Sequence, residues 1–263
     1  MTRRKRFGDA AVSLGFASRQ EVTDALSEQE TRLKHDGDRV LIGFLMVETG
    51  ALTAHQLLEV LNHTSENGRL ISEDAILLAT RLESSLEDDQ RVIMMSSVNG
   101  EENSSIIATQ LAIAFALMDR GQILLIDADF RVSSQHARLG LNPAPGLTEY
   151  LEKDLDLGSV LQETGVPRLS FLSGGSEPKD VLSVFLSENY APLIHDLRTR
   201  FHRIIIDSSS IGTHSDAAVI ASYSDGVVLA MAEDQHSREE VREILRILDG
   251  LNVTVIGSVL THA

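Results

Sequence analysis

The segment with the clearest chemical potential is a loop between a predicted strand and a predicted helix, SSVNGEENSSIIATQLAIAFA over 96–116. Phosphate-binding loops occupy this place and read G-x-x-x-x-G-K-[ST]. Their glycines let backbone N–H groups surround phosphate, their lysine reaches the outer phosphates, and their hydroxyl holds Mg²⁺. This chain has no lysine anywhere between residues 35 and 152, so the loop contains no ammonium group.

The missing lysine bears directly on catalysis. Stabilisation of charge on the transferred phosphoryl group is the main catalytic contribution in phosphoryl transfer, and a cation in the loop supplies much of it. Two interpretations follow. The loop is either an inert connection from strand to helix, or a residual phosphate site that takes its positive charge from an arginine elsewhere.

The elements that would position this loop follow from the pattern after Arg91, where short apolar runs alternate with helical stretches. The runs are apolar on both faces, as buried parallel strands require. We therefore predict an α/β fold with a doubly wound, mainly parallel sheet of the P-loop NTPase type, with ligands at the carboxyl ends of its strands. The predicted strands are Val92–Met95, Ile123–Ile126, Leu169–Leu172, Ile204–Ile206, Val227–Ala230 and Val255–Leu260, and the predicted helices are 104–119, 190–201, 216–223 and 237–249.

Residues 91–263 resemble the cytoplasmic kinase domain of bacterial tyrosine kinases of capsule and exopolysaccharide synthesis, which have a deviant P-loop. The resemblance spans the whole domain in order. It is carried by ILLIDADFRVSSQH (123–136), the segment 146–175, RIIIDSSS (203–210) and SDAAVIASYSDGVVLAMA (215–232).

The resemblance implies roles for particular residues. The carboxylates of the catalytic site would be Asp127, Asp129 and Asp207. Mg²⁺ would be held by Ser105, Asp127 and Asp207. The degenerate phosphate loop comprises Gly100, Asn103, Ser104 and Ser105, with Arg131 as a nearby cation. Asn99 and Asn103 stand at glycine positions, Ser104 stands at the lysine position, and Thr261 replaces the adenine-binding asparagine. We therefore predict no cofactor, or ATP with Mg²⁺ if a residual site functions.

An internal repeat occupies the first 64 residues, where 6–26 aligns with 41–61. Ser18 and Thr53 each begin an S/T-x-x-E/Q capping box. Each copy thus predicts a short helix, a glycine turn and a capped amphipathic helix. We predict three parts: a small all-helical tandem-repeat module over 1–64, a helical connector over 65–90 and the α/β domain over 91–263.

The repeat resembles the N-terminal domain of type II secretion and type IV pilus ATPases, some of which bind cyclic di-GMP through tandem motifs. The first copy keeps Arg6, Gly8 and Gln29 as the implied dinucleotide-binding residues. The second copy has Leu41 and Thr64 where arginine and glutamine belong. Because only the first copy keeps the arginine and the glutamine, the repeat would provide half of a dinucleotide site. The alternative is a small helical docking module.

Composition excludes several classes of function. The net charge of −16 argues against nucleic acid as a partner, because phosphate neutralisation needs clustered Lys and Arg. The absence of cysteine excludes disulfides and thiolate metal sites. No apolar run approaches the ~20 residues of a transmembrane helix.

We predict a catalytically degenerate, tyrosine-kinase-like protein that acts as a regulatory or scaffold partner in bacterial exopolysaccharide biosynthesis and export. It would be cytoplasmic and would reach the inner membrane by docking on a membrane polysaccharide co-polymerase or another protein of that machinery. It would also be able to form a homo-oligomer. Two alternatives remain open: an active ATP-binding tyrosine autokinase or ATPase with a cation from outside the loop, and a cyclic di-GMP receptor.

Overall fold

A computed structural model describes residues 7–35, 42–53, 56–57, 59–60, 72–100, 103–153, 155–233 and 235–261. Seven strands form one sheet in the order β3-β4-β2-β5-β1-β6-β7. All neighbouring pairs are parallel except β3 with β4, so the predicted mainly parallel sheet is confirmed. The strands are β1 (Val92–Ser97), β2 (Ile123–Asp127), β3 (Leu161–Glu163), β4 (Leu169–Leu172), β5 (Arg203–Asp207), β6 (Gly226–Ala232) and β7 (Val255–Thr261).

All six predicted strands are present, and the short antiparallel edge strand β3 was missed. The described helices are α1 (Phe7–Ser13), α2 (Arg19–His35), α3 (Ile42–Glu48), α4 (Glu73–Ser85), α5 (Ser104–Leu117), α6 (Gln135–Leu139), α7 (Leu147–Lys153), α8 (Leu157–Val160), α9 (Val181–Phe185), α10 (Tyr190–Arg200), α11 (Ser215–Ala221) and α12 (Arg238–Gly250). Residues 56–57 and 59–60 are also helical.

The sheet has a hydrophobic layer on each face, because successive strand residues point to opposite sides. Val92 and Met94 join the layer formed with α7 to α12, whereas Ile93 and Met95 join the layer formed with α4 and α5. By the same alternation, the last residues of β2 and β5, Asp127 and Asp207, belong on the α5 side. This orientation places two carboxylates beside the helix that follows the loop.

The two copies of the N-terminal repeat share their local geometry. Gly15 and Gly50 end the first helix of each copy with φ of 74° and 76°, a left-handed conformation that favours glycine. In both capping boxes the backbone N–H of the first residue donates to the closing side chain, Ser18 to Glu21 at 2.7 Å and Thr53 to Gln56 at 2.8 Å. The repeated sequence signals therefore specify the same turn twice.

The module contributes to the core of the sheet instead of standing apart from it. Leu45 and Leu57 are fully buried in the layer that contains α4 and α5. Helix α4 presents Ala75, Ala79 and Leu82 to that layer. Ile76, Leu77 and Leu78 follow one another on this helix, and Leu77 is half exposed, because three consecutive residues cannot share one face of a helix with 3.6 residues per turn.

Helix α4 is also fixed to the sheet by a buried ion pair. Glu83 accepts from Arg203 Nε at 3.0 Å and lies 2.9 Å from His202 Nε2. The Arg203 side chain is only 1% exposed and also donates to the backbone oxygen of Gln90. Since Arg203 begins β5, this contact ties the connector to the strand that ends at Asp207.

Glu83→Ala is expected to destabilise the protein by about 3–5 kcal/mol, because it leaves the buried guanidinium of Arg203 without its carboxylate. Urea unfolding followed by circular dichroism measures the change. Glu243→Ala, which breaks an exposed ion pair with Arg246 on α12, is the matched control and should cost less than about 1 kcal/mol. Equal effects of the two substitutions would contradict an anchoring role for Glu83.

Candidate functional site

Two described residues of the loop after β1 have a positive φ. Gly100 has φ of 98° and Asn103 lies in the left-handed region with φ of 55° and ψ of 29°. Asparagine tolerates this conformation better than most residues with a Cβ, so Asn103 replaces glycine at modest cost. Helix α5 then begins at Ser104, and the Asn103 carbonyl accepts its first hydrogen bonds from Ile106 and Ile107.

Two buried carboxylates lie side by side below this loop. Asp127 and Asp207 are register partners at the ends of β2 and β5 and are 0% and 1% exposed. The Oδ1 atom of each has no hydrogen-bond partner among the described residues. Burial, then the charge of Asp127, raises the pKa of Asp207 to about 8, and burial raises the pKa of Asp127 to about 6. The pair therefore resists carrying two negative charges unless a cation is present.

The remaining carboxylate oxygens are held by neighbouring donors. Ser133 Oγ donates to Asp127 Oδ2 at 2.9 Å, and the backbone N–H of Gln135 donates to the same oxygen at 3.3 Å. Gln135 Nε2 donates to Asp207 Oδ2 at 2.6 Å, and the Ser105 hydroxyl also hydrogen-bonds Asp207. These bonds orient both carboxylates and leave their Oδ1 atoms unpaired.

Gln135 belongs to the candidate site, although the sequence did not single it out. It is fully buried, and besides Asp207 it donates to the Ser105 backbone oxygen at 2.7 Å and bonds Thr109 Oγ1 through its own Oε1. One amide thus connects α5, β5 and the start of α6. No motif marks a lone glutamine in this stretch, so only the tertiary structure identifies it.

Arg131 does not supply a cation to the loop, contrary to the expected role. Its guanidinium makes two hydrogen bonds to Asp216, of 2.8 and 2.9 Å. The Asp216 carboxylate is 2% exposed and accepts a further bond from Ser209 Oγ at 2.7 Å. Asp129 caps the same turn by accepting the backbone N–H of Arg131 at 3.0 Å. Arg131 is therefore committed to an ion pair that braces the loop after β2.

A small pocket opens above the start of α5. Its volume is about 150 Å³, and its lining includes Ser97, Gly100, Asn103, Ser104, Ser105 and Asp129. Arg138, on α6, also lines it. The structure thus brings the predicted loop residues to one cavity, with Asp127 and Asp207 buried next to it through Ser105 and Ser208.

The residues below the pocket fit a hard divalent cation such as Mg²⁺. Unpaired carboxylate oxygens and a serine hydroxyl are the oxygen donors that Mg²⁺ accepts, and a cation would relieve the repulsion between Asp127 and Asp207. Among the described residues, no group of three or more His, Asp or Glu side chains is arranged to hold a metal ion alone. Water or ligand phosphate would complete such a coordination sphere.

The predicted dinucleotide residues of the N-terminal module are only partly described. Arg6 lies outside the described residues. Gly8 is a packing position, since a Cβ there would come within 2.5 Å of Val22 Cγ1, and Gly43 meets Leu57 in the same way in the second copy. Gln29 lies on α2. The two equivalent glycines therefore serve close helix packing in both copies.

Comparisons with known proteins place these features in context. Over 173 residues the chain is 31% identical to the tyrosine-protein kinase CpsD of Streptococcus agalactiae, which covers 65% of this chain and 75% of that protein. The crystal structure of the VpsO kinase domain matches with a TM-score of 0.66 at 28% identity, over 72% of this chain and 93% of that domain. No protein-family profile matches the chain.

A more distant structure shares the fold alone. The septum site-determining protein MinD of Pyrococcus horikoshii, solved with Mg-ADP, matches with a TM-score of 0.56 at 18% identity. The match covers 65% of this chain and 69% of that protein. The P-loop NTPase-like α/β fold predicted from the sequence is thereby confirmed. None of the helices in the described part of the chain has the length and hydrophobicity to cross a bilayer.

The buried carboxylate pair predicts a pH-dependent stability. Because the folded-state pKa of Asp207 is raised to about 8, the folded protein holds a proton that the unfolded chain releases, and stability falls as pH rises from about 4 to about 8. Asp207→Asn removes this titration. Between pH 6 and pH 9 the free energy of unfolding should fall by about 2 kcal/mol less in Asp207→Asn than in the wild type. This difference corresponds to roughly 4–8 °C in Tm.

Thermal unfolding across that pH range tests the assignment, with Asp196→Asn, at a partly exposed carboxylate on α10, as control. Mg²⁺ should raise the Tm of the wild type at pH 8.5 more than that of Asp207→Asn, because it neutralises the ionised pair. If the wild type and Asp207→Asn show the same pH slope, the carboxylate pair is not the titrating element.

Proposed function

The chain belongs to the family of bacterial tyrosine-protein kinases, and on that premise we propose that it serves exopolysaccharide synthesis and export as a regulatory or scaffold protein without phosphoryl transfer. The single observation that carries this proposal is Ser104 at the first position of α5, where the family's loop has its lysine. A neutral hydroxymethyl group cannot neutralise the charge that develops on a transferred γ-phosphoryl group.

Neighbouring residues reinforce the electrostatic argument. The loop sequence adds Glu101 and Glu102 and contains no basic residue. Arg131, which was the expected substitute cation, is paired with Asp216. The loop therefore combines added negative charge with a missing positive one. Such a loop disfavours the triphosphate geometry that transfer requires.

The shape of the site does not depend on a bound ligand. Gln135 meanwhile satisfies Asp207 Oδ2 and the Ser105 carbonyl with a neutral amide. The site is thus held in shape by the chain's own residues, and ATP with Mg²⁺ is an optional ligand in this proposal instead of a substrate.

A second candidate is an active, slow autokinase or ATPase whose cation comes from outside the loop. The observation that favours it is the presence of Arg138 in the lining of the pocket. The two candidates differ in turnover. The regulatory proposal allows a nucleotide to bind and excludes its hydrolysis.

Purified wild-type protein is expected to hydrolyse no Mg·ATP and to incorporate no phosphate on tyrosine above a blank without protein. The physical reason is the missing loop cation, whose loss costs on the order of 10³-fold or more in phosphoryl transfer. Phosphate release and anti-phosphotyrosine blotting measure the two activities, with CpsD of Streptococcus agalactiae as the positive control. Turnover that disappears in Asp127→Asn would establish the autokinase candidate instead.

The proposed partner is a membrane polysaccharide co-polymerase, on whose cytoplasmic face this chain would dock. Affinity-tagged full-length chain, expressed in its native host, is expected to co-purify with that membrane protein after detergent extraction. A tagged P-loop protein from an unrelated pathway serves as the control for adventitious capture. Recovery of the chain without any component of the polysaccharide machinery would count against this partner.

A further inference from the structure

We propose that Arg138 supplies a positive charge at the rim of this pocket, so that the pocket binds a phosphate or phosphoanhydride group without restoring the loop cation that transfer requires. The assignment rests on the proposed function, because it describes what the same site does without transfer. Arg138 lies on α6 and lines the same 150 Å³ cavity as Ser104 and Ser105. The sequence motif does not predict a cation at this position.

The position of Arg138 is fixed by the buried network below the pocket. Gln135 begins α6 and is bonded through its side chain to Asp207 and to the Ser105 backbone. The backbone N–H of Arg138 donates to Ser134, which also lines the pocket, at 3.2 Å. Gln135 is anchored and lies three residues before Arg138 on the same helix. Helix α6 therefore holds Arg138 at the rim of the pocket.

Arg138 is available for a ligand, whereas Arg131 is not. Its side chain is exposed, and no ion pair joins its guanidinium to another residue of the described ranges. Arg131 has both of its terminal nitrogens on Asp216. Arg138 lines the cavity, and a guanidinium without an ion-pair partner offers a planar set of donors that matches phosphate oxygens.

The rest of the pocket supplies neutral donors. Ser97, Ser104 and Ser105 contribute hydroxyl groups, and the first backbone N–H groups of α5 point out of a helix of 14 residues. The pocket volume of about 150 Å³ falls below the ~300 Å³ at which pockets for whole drug-sized ligands begin. The cavity therefore suits a phosphate group, with any attached nucleoside lying outside it.

The charge on Asp129 limits but does not cancel this site. Asp129 also lines the pocket, and its Oδ1 accepts the backbone N–H groups of Arg131 and Val132 at 3.0 and 3.4 Å. These bonds disperse part of its negative charge. Among the described residues that line the pocket, the positive charge of Arg138 balances the negative charge of Asp129. Without Arg138 these lining residues would have a net negative charge.

Calorimetric titration of the full chain tests the proposal, with Mg·ADP and inorganic pyrophosphate as separate probes. Arg138→Ala is expected to weaken binding of the probe by roughly tenfold to a hundredfold, the value of a charge-assisted contact. Arg138→Lys should retain most of the affinity because it keeps the charge. Arg19→Ala, which removes the same charge from α2 in the helical module, should leave binding within about twofold.

Each result has a defined meaning. Binding of pyrophosphate as well as Mg·ADP identifies the phosphate group as the recognised element, and binding of Mg·ADP alone adds the nucleoside; either result with loss in Arg138→Ala supports the assignment. Equal binding by wild type and Arg138→Ala, or no binding of either probe to the wild type, would overturn it. ATP turnover would refute the regulatory proposal while leaving the role of Arg138 to be judged by affinity.

Discussion

The structure depends on one constraint: two carboxylates are buried next to each other at the ends of β2 and β5. Asp127 and Asp207 are register partners in the middle of a parallel sheet, so neither can turn towards solvent. Desolvation and mutual repulsion raise the pKa of both groups. Donors on Ser105, Ser133 and Gln135 hydrogen-bond the two carboxylates and fix their orientation.

The same buried group of residues holds the start of α5 in place. A phosphate-binding loop is normally organised partly by its ligand, but here a buried glutamine amide ties α5 to β5 and to the start of α6. Asn103 meanwhile retains the left-handed backbone of a glycine position. On the neighbouring segment, Arg131 pairs with Asp216 and Arg138 lines the pocket.

The helical module is coupled to this centre through packing and one buried ion pair. Leu45 and Leu57 complete the hydrophobic layer that also contains α4 and α5. Glu83 on α4 holds Arg203, the first residue of the strand that ends in Asp207. A partner that displaced α4 or the module would therefore act on the same layer that supports the pocket.

The sequence by itself determined the alternation of strands and helices, the repeated capping boxes and the loss of the loop lysine, since these depend on local periodicity and residue type. It also placed Asp127 and Asp207 directly after predicted strands, but only the structure shows that these two strands are neighbours. Only the tertiary structure decided that Gln135 is buried between them, that Arg131 pairs with Asp216 and that Arg138 faces the pocket. Those contacts join residues that are far apart in the chain, and the direction of a long polar side chain depends on which charges the fold brings near it.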